Sequence, residues 1–184
     1  MRRAPTGSLG GMSQRSVVLV GPMGSGKSTV GRALARRLGL GHVDTDDIVA
    51  RSAGRTIPEV FETEGEAAFR EMESAALVDA LAGSCAVIST GGGIVMSDVN
   101  RARLRESPAL VVWLDGSIDA LADRVGSGRG RPLLEGDVRE TLKEKIAERA
   151  PGYLAVADVR VDTSEMRHSD CVDAIVAALE GVSA

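Results

Sequence analysis

A glycine-rich segment near the start of the chain, residues 21–28 (GPMGSGKS), has the residue types and spacing of a phosphate-binding loop. It fits the pattern G-x-x-x-x-G-K-[ST] at every fixed position. Glycines let the backbone fold around a phosphate, Lys27 supplies a charge for the β- and γ-phosphates, and the Ser28 hydroxyl can bind Mg²⁺. A β-branched run precedes the segment and apolar residues at helical spacing follow it. We therefore predict a nucleotide phosphate site; a chance glycine-rich turn is the alternative.

Two carboxylates, Asp44 and Asp46, follow a second short apolar run that should end as a strand near residues 43–44. Residues just after the strands of a parallel sheet face the ligand crevice. If the backbone is still extended there, both side chains point the same way. One carboxylate can then serve Mg²⁺, directly or through water, while the other orients or deprotonates an attacking hydroxyl. An Asp-rich helix cap is the alternative.

Arginines and a run of glycines could hold an acidic substrate. Arg70 and Arg149 lie on predicted helices, and either guanidinium could grip a carboxylate with two hydrogen bonds. Taken singly, each is also compatible with a solvated surface position. The run Gly91-Gly92-Gly93 follows a predicted strand and allows close approach of a ligand to backbone N–H groups, or forms a simple flexible turn.

A loop at residues 126–136 contains four glycines, one proline and two arginines, Arg129 and Arg131. Such a loop could close over a nucleotide, exclude water and deliver an arginine to the transferred phosphate. The alternative is an ordinary surface loop.

Motifs of other phosphate-loop proteins are absent from the sequence. There is no N-K-x-D guanine signature, no L-S-G-G-Q stretch, and the D-x-x-G match at residues 123–126 falls at a predicted helix end. The small size and the Arg-rich loops favour a kinase that acts on a small molecule.

The composition is that of a globular protein of one domain. The 184 residues are 43% hydrophobic and 26% charged, with a net charge of −4. Only 2% are aromatic, which argues against a nucleic-acid platform, and no apolar run approaches the roughly 20 residues of a membrane span. Cys85 and Cys171 read as buried thiols of a reducing compartment, and His42 and His168 lack metal-ligand spacing. We expect a cytoplasmic monomer whose residues 1–14 form a tail.

Predicted strands alternate with predicted helices, which indicates an α/β fold with a parallel sheet. Strands are expected at 17–20, near 43–44, and at 86–90, 110–114 and 156–161. Helices are expected at 27–38, from Thr56, at 66–82, 117–125 and 137–150, and at 169–179, with Pro151 ending the helix that precedes it.

Together these segments resemble shikimate kinase, in the order in which that family carries them and over nearly the whole chain. The matching segments are G-x-G-K-S within residues 21–28, Asp44-Thr45-Asp46, Phe69-Arg70 with Glu73, Gly91-Gly92-Gly93, Arg131-Pro132-Leu133-Leu134, Glu148-Arg149-Ala150-Pro151 with Tyr153, and Val161-Asp162-Thr163. The resemblance implies a three-layer α/β/α sandwich with a five-stranded parallel sheet and P-loop kinase architecture. Within a single domain at 15–184 it implies a substrate-binding subdomain near 45–73 and a lid near 126–137.

The resemblance also implies a role for each matching position. Lys27, Asp46 and Arg131 would be catalytic, Ser28 and Asp44 (through water) would hold Mg²⁺, and Phe61 and Phe69 would form part of the substrate wall. ATP would contact Gly24, Ser25, Gly26, Lys27, Ser28, Thr29, Arg124 and Arg131. Shikimate would contact Asp46, Arg70, Gly91, Gly92, Gly93 and Arg149.

The expected reaction is transfer of the γ-phosphoryl group of ATP to the 3-hydroxyl of shikimate, in the biosynthesis of chorismate and aromatic amino acids. A gluconate kinase, a nucleoside monophosphate kinase and a non-catalytic nucleotide-binding regulator are the alternatives. No nucleic-acid or membrane partner is expected.

Overall fold

Five short strands form one parallel sheet in the order β2-β3-β1-β4-β5. Their bounds are β1 Val17–Val20, β2 Gly41–Asp44, β3 Ala86–Ser89, β4 Leu110–Asp115 and β5 Val159–Asp162. The computed structural model describes residues 15–84, 86–126 and 138–182. The predicted tail at 1–14, Cys85 and nearly all of the predicted lid, including Arg129 and Arg131, lie outside the described residues.

Helices cover both faces of the sheet, which confirms the predicted α/β/α sandwich. The helices are α1 Lys27–Leu38, α2 Thr45–Ala53, α3 Ile57–Ala82, α4 Asp98–Glu106, α5 Ile118–Val125, α6 Val138–Val156 and α7 His168–Val182, with a 3₁₀ turn at Ile94–Met96. The side chains of successive residues of β1 point to opposite faces of the sheet. Val17 and Leu19 pack with α1 and α7, whereas Val18 and Val20 pack with α3, α4 and α6.

The strand order places β1 between β3 and β4, so the chain leaves the end of β1 at the point where the topology changes direction. Ligands of open α/β sheets bind at the carboxyl ends of the strands at such a point. The loop between β1 and α1 carries the predicted phosphate-binding segment. Gly21 in this loop has a φ of 143°, and a Cβ there would collide with the Leu114 carbonyl oxygen, so only glycine fits.

A small second core lies under α2 and the first half of α3. Its buried members are Val49, Val60, Phe69 and Ala76. The predicted helices from Thr56 and at 66–82 are one helix, α3, with a kink at Gly65, where φ is 81° and ψ is 175°. The capping box predicted at Thr56 is present: the Thr56 hydroxyl accepts a hydrogen bond from the Glu59 backbone N–H, and Glu59 Oε2 accepts one from the Thr56 N–H at 2.7 Å.

Two predicted boundaries were wrong. The helix expected to stop before Pro151 continues to Val156, because Arg149, Tyr153 and Val156 are buried on one side and this packing outweighs the cost of an internal proline. The last strand therefore begins at Val159.

Two helices were missed by the sequence analysis. Helix α4 begins at a Ser97 cap, but it is so polar that the apolar periodicity is weak. Helix α2 begins directly after the Asp44 cap, where an extended backbone was considered.

Removing the capping box should weaken the substructure of α2 and α3. We expect Thr56→Ala to lower the free energy of unfolding by about 1 kcal/mol, because the first-turn N–H of Glu59 loses its acceptor. Urea denaturation followed by circular dichroism measures this. Thr56→Ser keeps the hydroxyl and serves as the matched control; equal stability of the Ala and Ser variants would contradict the assignment.

Candidate active site

A cleft of about 700 Å³ opens at the carboxyl ends of β1, β2 and β3. Among the described residues, it brings together every sequence-predicted site residue except Ser25, which is buried. The predicted residues that line it are Gly24, Gly26, Lys27, Ser28, Thr29, Asp44, Asp46, Arg70, Gly91, Gly92, Gly93, Arg124 and Arg149.

The phosphate-binding loop wraps around the start of α1. Gly26 caps this helix with a φ of 86°, and the helix N-terminus adds a partial positive charge to the loop. The Lys27 ammonium group donates hydrogen bonds to the carbonyl oxygens of Gly21 and Pro22, each at 2.8 Å. This places a cation directly over the loop, as binding of nucleotide phosphates requires.

Ser28 and Asp44 form an oxygen pair beside that loop. The Ser28 hydroxyl donates to Asp44 Oδ2 at 2.7 Å, and Asp44 Oδ1 accepts the backbone N–H of Asp46 at 3.1 Å. Asp44 is therefore both a helix cap and a candidate metal ligand. Two hard oxygens suit Mg²⁺, which usually keeps several waters and uses one or two protein ligands. In the described ranges, no group of three or more His, Cys, Asp or Glu side chains could hold a metal.

Asp46 occupies the first turn of α2, so the extended geometry considered for residues 44–46 does not occur. The helix nevertheless turns its carboxylate into the cleft. Burial, followed by the nearby charges of Asp44 and Glu73, raises the pKa of Asp46 from 3.8 to about 6, although Lys27 acts in the opposite direction. A carboxylate with a pKa near the working pH suits a general base.

Arg70 lies on α3, in the cleft. Its guanidinium pairs with Glu73 at 2.8 Å and with Glu66 at 3.0 Å, and it stands over the Phe69 ring. Burial disfavours the charged guanidinium, but the two carboxylates outweigh burial and raise the pKa of Arg70. Because Gly93 lies against this guanidinium, a side chain at position 93 would displace it.

Glu73 is a site residue to which the sequence analysis gave no role. It is 1% exposed, burial raises its pKa, and its Oε1 faces Gly91 so closely that a Cβ there would collide with it. The sequence signals were its place in the matching segment Phe69-Arg70 with Glu73 and its spacing of three residues from Arg70, which puts the two side chains on one face of α3.

Arg149, on α6, is 8% exposed and lies beside Gly92. In the part of the chain that the structure describes, its Nε has no hydrogen-bond partner, and neither do Asp46 Oδ1 and Glu73 Oε1. Buried polar atoms are nearly always paired in folded proteins, so three unpaired atoms around one cleft indicate that a polar ligand completes them.

Arg124 and His168 mark the opposite end of the cleft. Arg124 donates to the Thr163 hydroxyl at 2.9 Å and to the carbonyl oxygen of the same residue. His168, to which no role was given, borders the cleft next to Gly26. His42 does not line this cleft; its Nε2 forms a hydrogen bond with the Ser89 hydroxyl at 3.0 Å. Cys171 is a buried free thiol.

Known proteins with this sequence and fold share one family. The sequence model of the shikimate kinase family matches residues 23–180. The shikimate kinase of Rhodopseudomonas palustris is 44% identical over 169 residues, which cover 91% of this chain and 82% of that protein. The chain belongs to the shikimate kinase family.

Solved structures agree with this family membership. A shikimate kinase from Acinetobacter baumannii in complex with shikimate superimposes with a TM-score of 0.88 at 33% identity, covering 92% of this chain and 95% of the other. A gluconokinase from Sinorhizobium meliloti 1021 has a TM-score of 0.57 at 24% identity, over 92% of this chain and 93% of its own. The gluconokinase likeness shows the fold alone. This shikimate kinase family member is thus a kinase, and it is more similar to shikimate kinases than to the gluconokinase alternative.

The burial of Asp46 should make this carboxylate costly for stability. Below its unfolded-state pKa of 3.8, protonated Asp46 contributes its full stabilisation, which is lost as the pH rises through the folded-state pKa of about 6. We expect Asp46→Asn to raise the free energy of unfolding of the metal-free protein at pH 8 by about 1–3 kcal/mol. The gain should vanish near pH 4.

Urea titrations at both pH values measure this effect. Asp79→Asn removes an exposed carboxylate from α3 and should change stability little at either pH. A stabilisation by Asp46→Asn that is the same at pH 4 and pH 8 would show that ionisation of Asp46 is not its cause.

Proposed function

We propose that this chain transfers the γ-phosphoryl group of ATP to the 3-hydroxyl of shikimate, forming shikimate 3-phosphate and ADP on the route to chorismate and the aromatic amino acids. The observation that carries the proposal is the meeting of a phosphate-binding loop, an aspartate with a buried unpaired Oδ1 and a buried arginine with an unpaired Nε in one cleft. Membership of the shikimate kinase family and the likeness to a structure that holds shikimate support the choice of acid.

ATP would lie along the phosphate-binding loop. Its phosphates would meet the backbone of Gly24, Ser25, Gly26, Lys27, Ser28 and Thr29, and the Lys27 ammonium group would move from the loop carbonyls to phosphate oxygens. The adenine would rest near Arg124, whose guanidinium is fixed by hydrogen bonds to Thr163.

Mg²⁺ would be held by the Ser28 hydroxyl and, through water, by the Asp44 carboxylate. The 2.7 Å hydrogen bond between these two oxygens supports this assignment, because it puts them side by side. When bound, the ion neutralises charge on the phosphate oxygens.

The carboxylate of shikimate would pair with Arg70 and Arg149. Arg149 brings an unpaired buried Nε, and Arg70 is held in place by Glu73 and Glu66. A planar guanidinium fork matches a carboxylate better than an ammonium group does. The backbone of Gly91, Gly92 and Gly93 would line the space between this acid site and the phosphates.

Asp46 would receive the hydrogen bond of the 3-hydroxyl. In the transfer, a bond forms between the 3-oxygen and the γ-phosphorus while the bond from that phosphorus to the β-bridging oxygen breaks. The hydroxyl proton passes to Asp46, whose raised pKa makes it a better base than a solvated aspartate. Most of the catalysis is then positioning and charge neutralisation.

Arg131, on a lid near residues 126–137, would bridge both substrates, while residues 45–73 would act as the substrate-binding subdomain. The enzyme would act as a cytoplasmic monomer without nucleic-acid or membrane partners. In the described ranges, no helix has the length and apolar character of a membrane span.

A steady-state assay of ADP release with shikimate, gluconate and AMP tests the substrate. We expect turnover with shikimate alone, because its ring fixes the 3-hydroxyl relative to the carboxylate, whereas gluconate is a flexible open chain and AMP carries no carboxylate for the arginines. Turnover with gluconate or AMP and none with shikimate would overturn the proposal. ATP binding without ADP release for any acceptor would indicate a regulator.

Exchanging the guanidinium of Arg70 tests the acid site. We expect Arg70→Lys to weaken shikimate binding by about 1–3 kcal/mol and to change the affinity for ATP little. The ammonium group keeps the positive charge but lacks the two parallel N–H donors of the guanidinium. Isothermal titration calorimetry measures both affinities. Arg101→Lys is the matched control, since Arg101 pairs with Asp98 and does not line the cleft. Equal effects of the two exchanges would remove Arg70 from the acid site.

A further inference from the structure

Tyr153 is a fully buried tyrosine next to Gly91-Gly92-Gly93, the glycine turn of the active site, and the proposed function gives it no role. It lies on α6 beyond Pro151, with 0% of its surface exposed. Its hydroxyl donates a hydrogen bond to the Gly92 carbonyl oxygen at 2.5 Å. Burial holds the pKa of the phenol well above its usual value, so the hydroxyl keeps the proton that it donates.

The rest of the glycine turn is held by other bonds. The Gly91 N–H donates to the Thr45 hydroxyl at 3.1 Å, and the Gly91 carbonyl accepts from the Ile94 N–H at 3.2 Å. The Gly93 carbonyl accepts from the Met96 N–H at 2.9 Å. Within the described part of the chain, Tyr153 is the only hydrogen-bond partner of the Gly92 carbonyl.

A bond to the Gly92 carbonyl also fixes the direction of the next N–H group. The Gly92 C=O and the Gly93 N–H belong to one planar trans peptide and point in opposite directions. Since Tyr153 draws the oxygen towards α6, the Gly93 N–H points away from α6. Gly93 lines the cleft next to the Arg70 guanidinium, and its N–H finds no acceptor among the described residues. Glycines have weak backbone preferences, so this direction needs an external anchor.

The same hydroxyl lies beside Arg149. Tyr153 and Arg149 are four residues apart on α6, which places them on one face of the helix. The guanidinium is close enough to the phenol oxygen to oppose the effect of burial on the phenol pKa. A hydroxyl that donates to a carbonyl keeps lone pairs that can accept from a guanidinium. The Tyr153 hydroxyl thus bonds the Gly92 carbonyl and lies near Arg149, and both Gly92 and Arg149 line the cleft.

Aromatic packing keeps the phenol in position. The rings of Tyr153 and Trp113 lie 5.6 Å apart at an angle of 30°, and the Arg160 guanidinium covers the Trp113 ring at 4.7 Å from its centre. Trp113 is on β4 and is 6% exposed. Phenylalanine at position 153 would keep this packing and lose only the hydroxyl.

We propose that Tyr153 is a positioning residue that aims the Gly93 N–H and the Arg149 guanidinium at the acid substrate. This inference rests on the proposed function, because it assumes that the acid binds between these two groups. Tyr153 touches neither substrate; it sets the direction of the groups that do.

The test is the Tyr153→Phe variant in the same ADP-release assay. We expect KM for shikimate to rise about tenfold, the effect of losing a hydrogen bond of ordinary strength, with KM for ATP unchanged within about twofold. A purely structural hydroxyl would lower the unfolding midpoint and leave the ratio of the two KM values as it is. Ser107→Ala is the matched control: it also deletes a hydroxyl that donates to a backbone carbonyl, that of Leu104 at 2.8 Å, and Ser107 does not line the cleft.

A second measurement covers the case in which Tyr153→Phe does not fold. Tyr153 is the only tyrosine of the sequence, so biosynthetic incorporation of 3-fluorotyrosine labels this position alone and keeps the hydroxyl. We expect the ¹⁹F resonance to shift when shikimate saturates the labelled protein, because Arg149 then exchanges contacts. A resonance that stays unchanged at saturation would overturn the inference.

The outcomes separate the two proposals. Shikimate turnover by the wild type with an unchanged shikimate KM in Tyr153→Phe would leave the proposed function standing and remove Tyr153 from it. No shikimate turnover by the wild type would remove the proposed function, and this inference with it. Equal increases of KM for shikimate in the Tyr153 and Ser107 variants would show a general loss of structure.

Discussion

The rest of the structure must offset the free-energy cost of burying charged groups in one cleft. Asp46, Glu73 and Arg149 are buried or largely buried, and each has a polar atom without a partner in the described ranges. Burying unpaired polar atoms is unfavourable, and the packed cores on the two sides of the sheet supply the compensating stability. A polar ligand that pairs with these atoms regains this free energy on binding. Under the proposed function, the arrangement that weakens the empty protein would therefore favour binding of the acid substrate and transfer of its hydroxyl proton.

The sheet brings these groups together although they are far apart in sequence. Because β1, β2 and β3 end at one edge, the segments that follow them place Lys27, Asp46 and the run Gly91-Gly92-Gly93 around a common space. Helix α6 reaches that space from the other side and contributes Arg149. Its continuation through Pro151 is what carries Tyr153 to the Gly92 carbonyl. The part of α6 around Pro151, which has a low intrinsic helix propensity, therefore positions a residue next to the active site.

Local patterns predicted the parts of the site whose geometry is local. The phosphate-binding loop and the Thr56 capping box depend on residues within one turn, and both are confirmed. The role of Asp44 could not be decided from spacing, because capping a helix and facing Ser28 are compatible. Helical spacing explains why Glu73 lies near Arg70 and Tyr153 near Arg149. Their contacts with Gly91 and Gly92 depend on the fold, and nothing in the immediate sequence shows them. For Pro151, a strong local rule failed because burial of its neighbours favours the helix.

A crystal structure of the protein with shikimate and a non-hydrolysable ATP analogue tests the central claim most directly. The account predicts that the shikimate carboxylate lies within hydrogen-bond distance of Arg149 Nε, while the 3-hydroxyl donates to Asp46 and faces the γ-phosphate held over Lys27. Shikimate bound with its carboxylate away from both Arg70 and Arg149, or with Asp46 still unpaired, would contradict it.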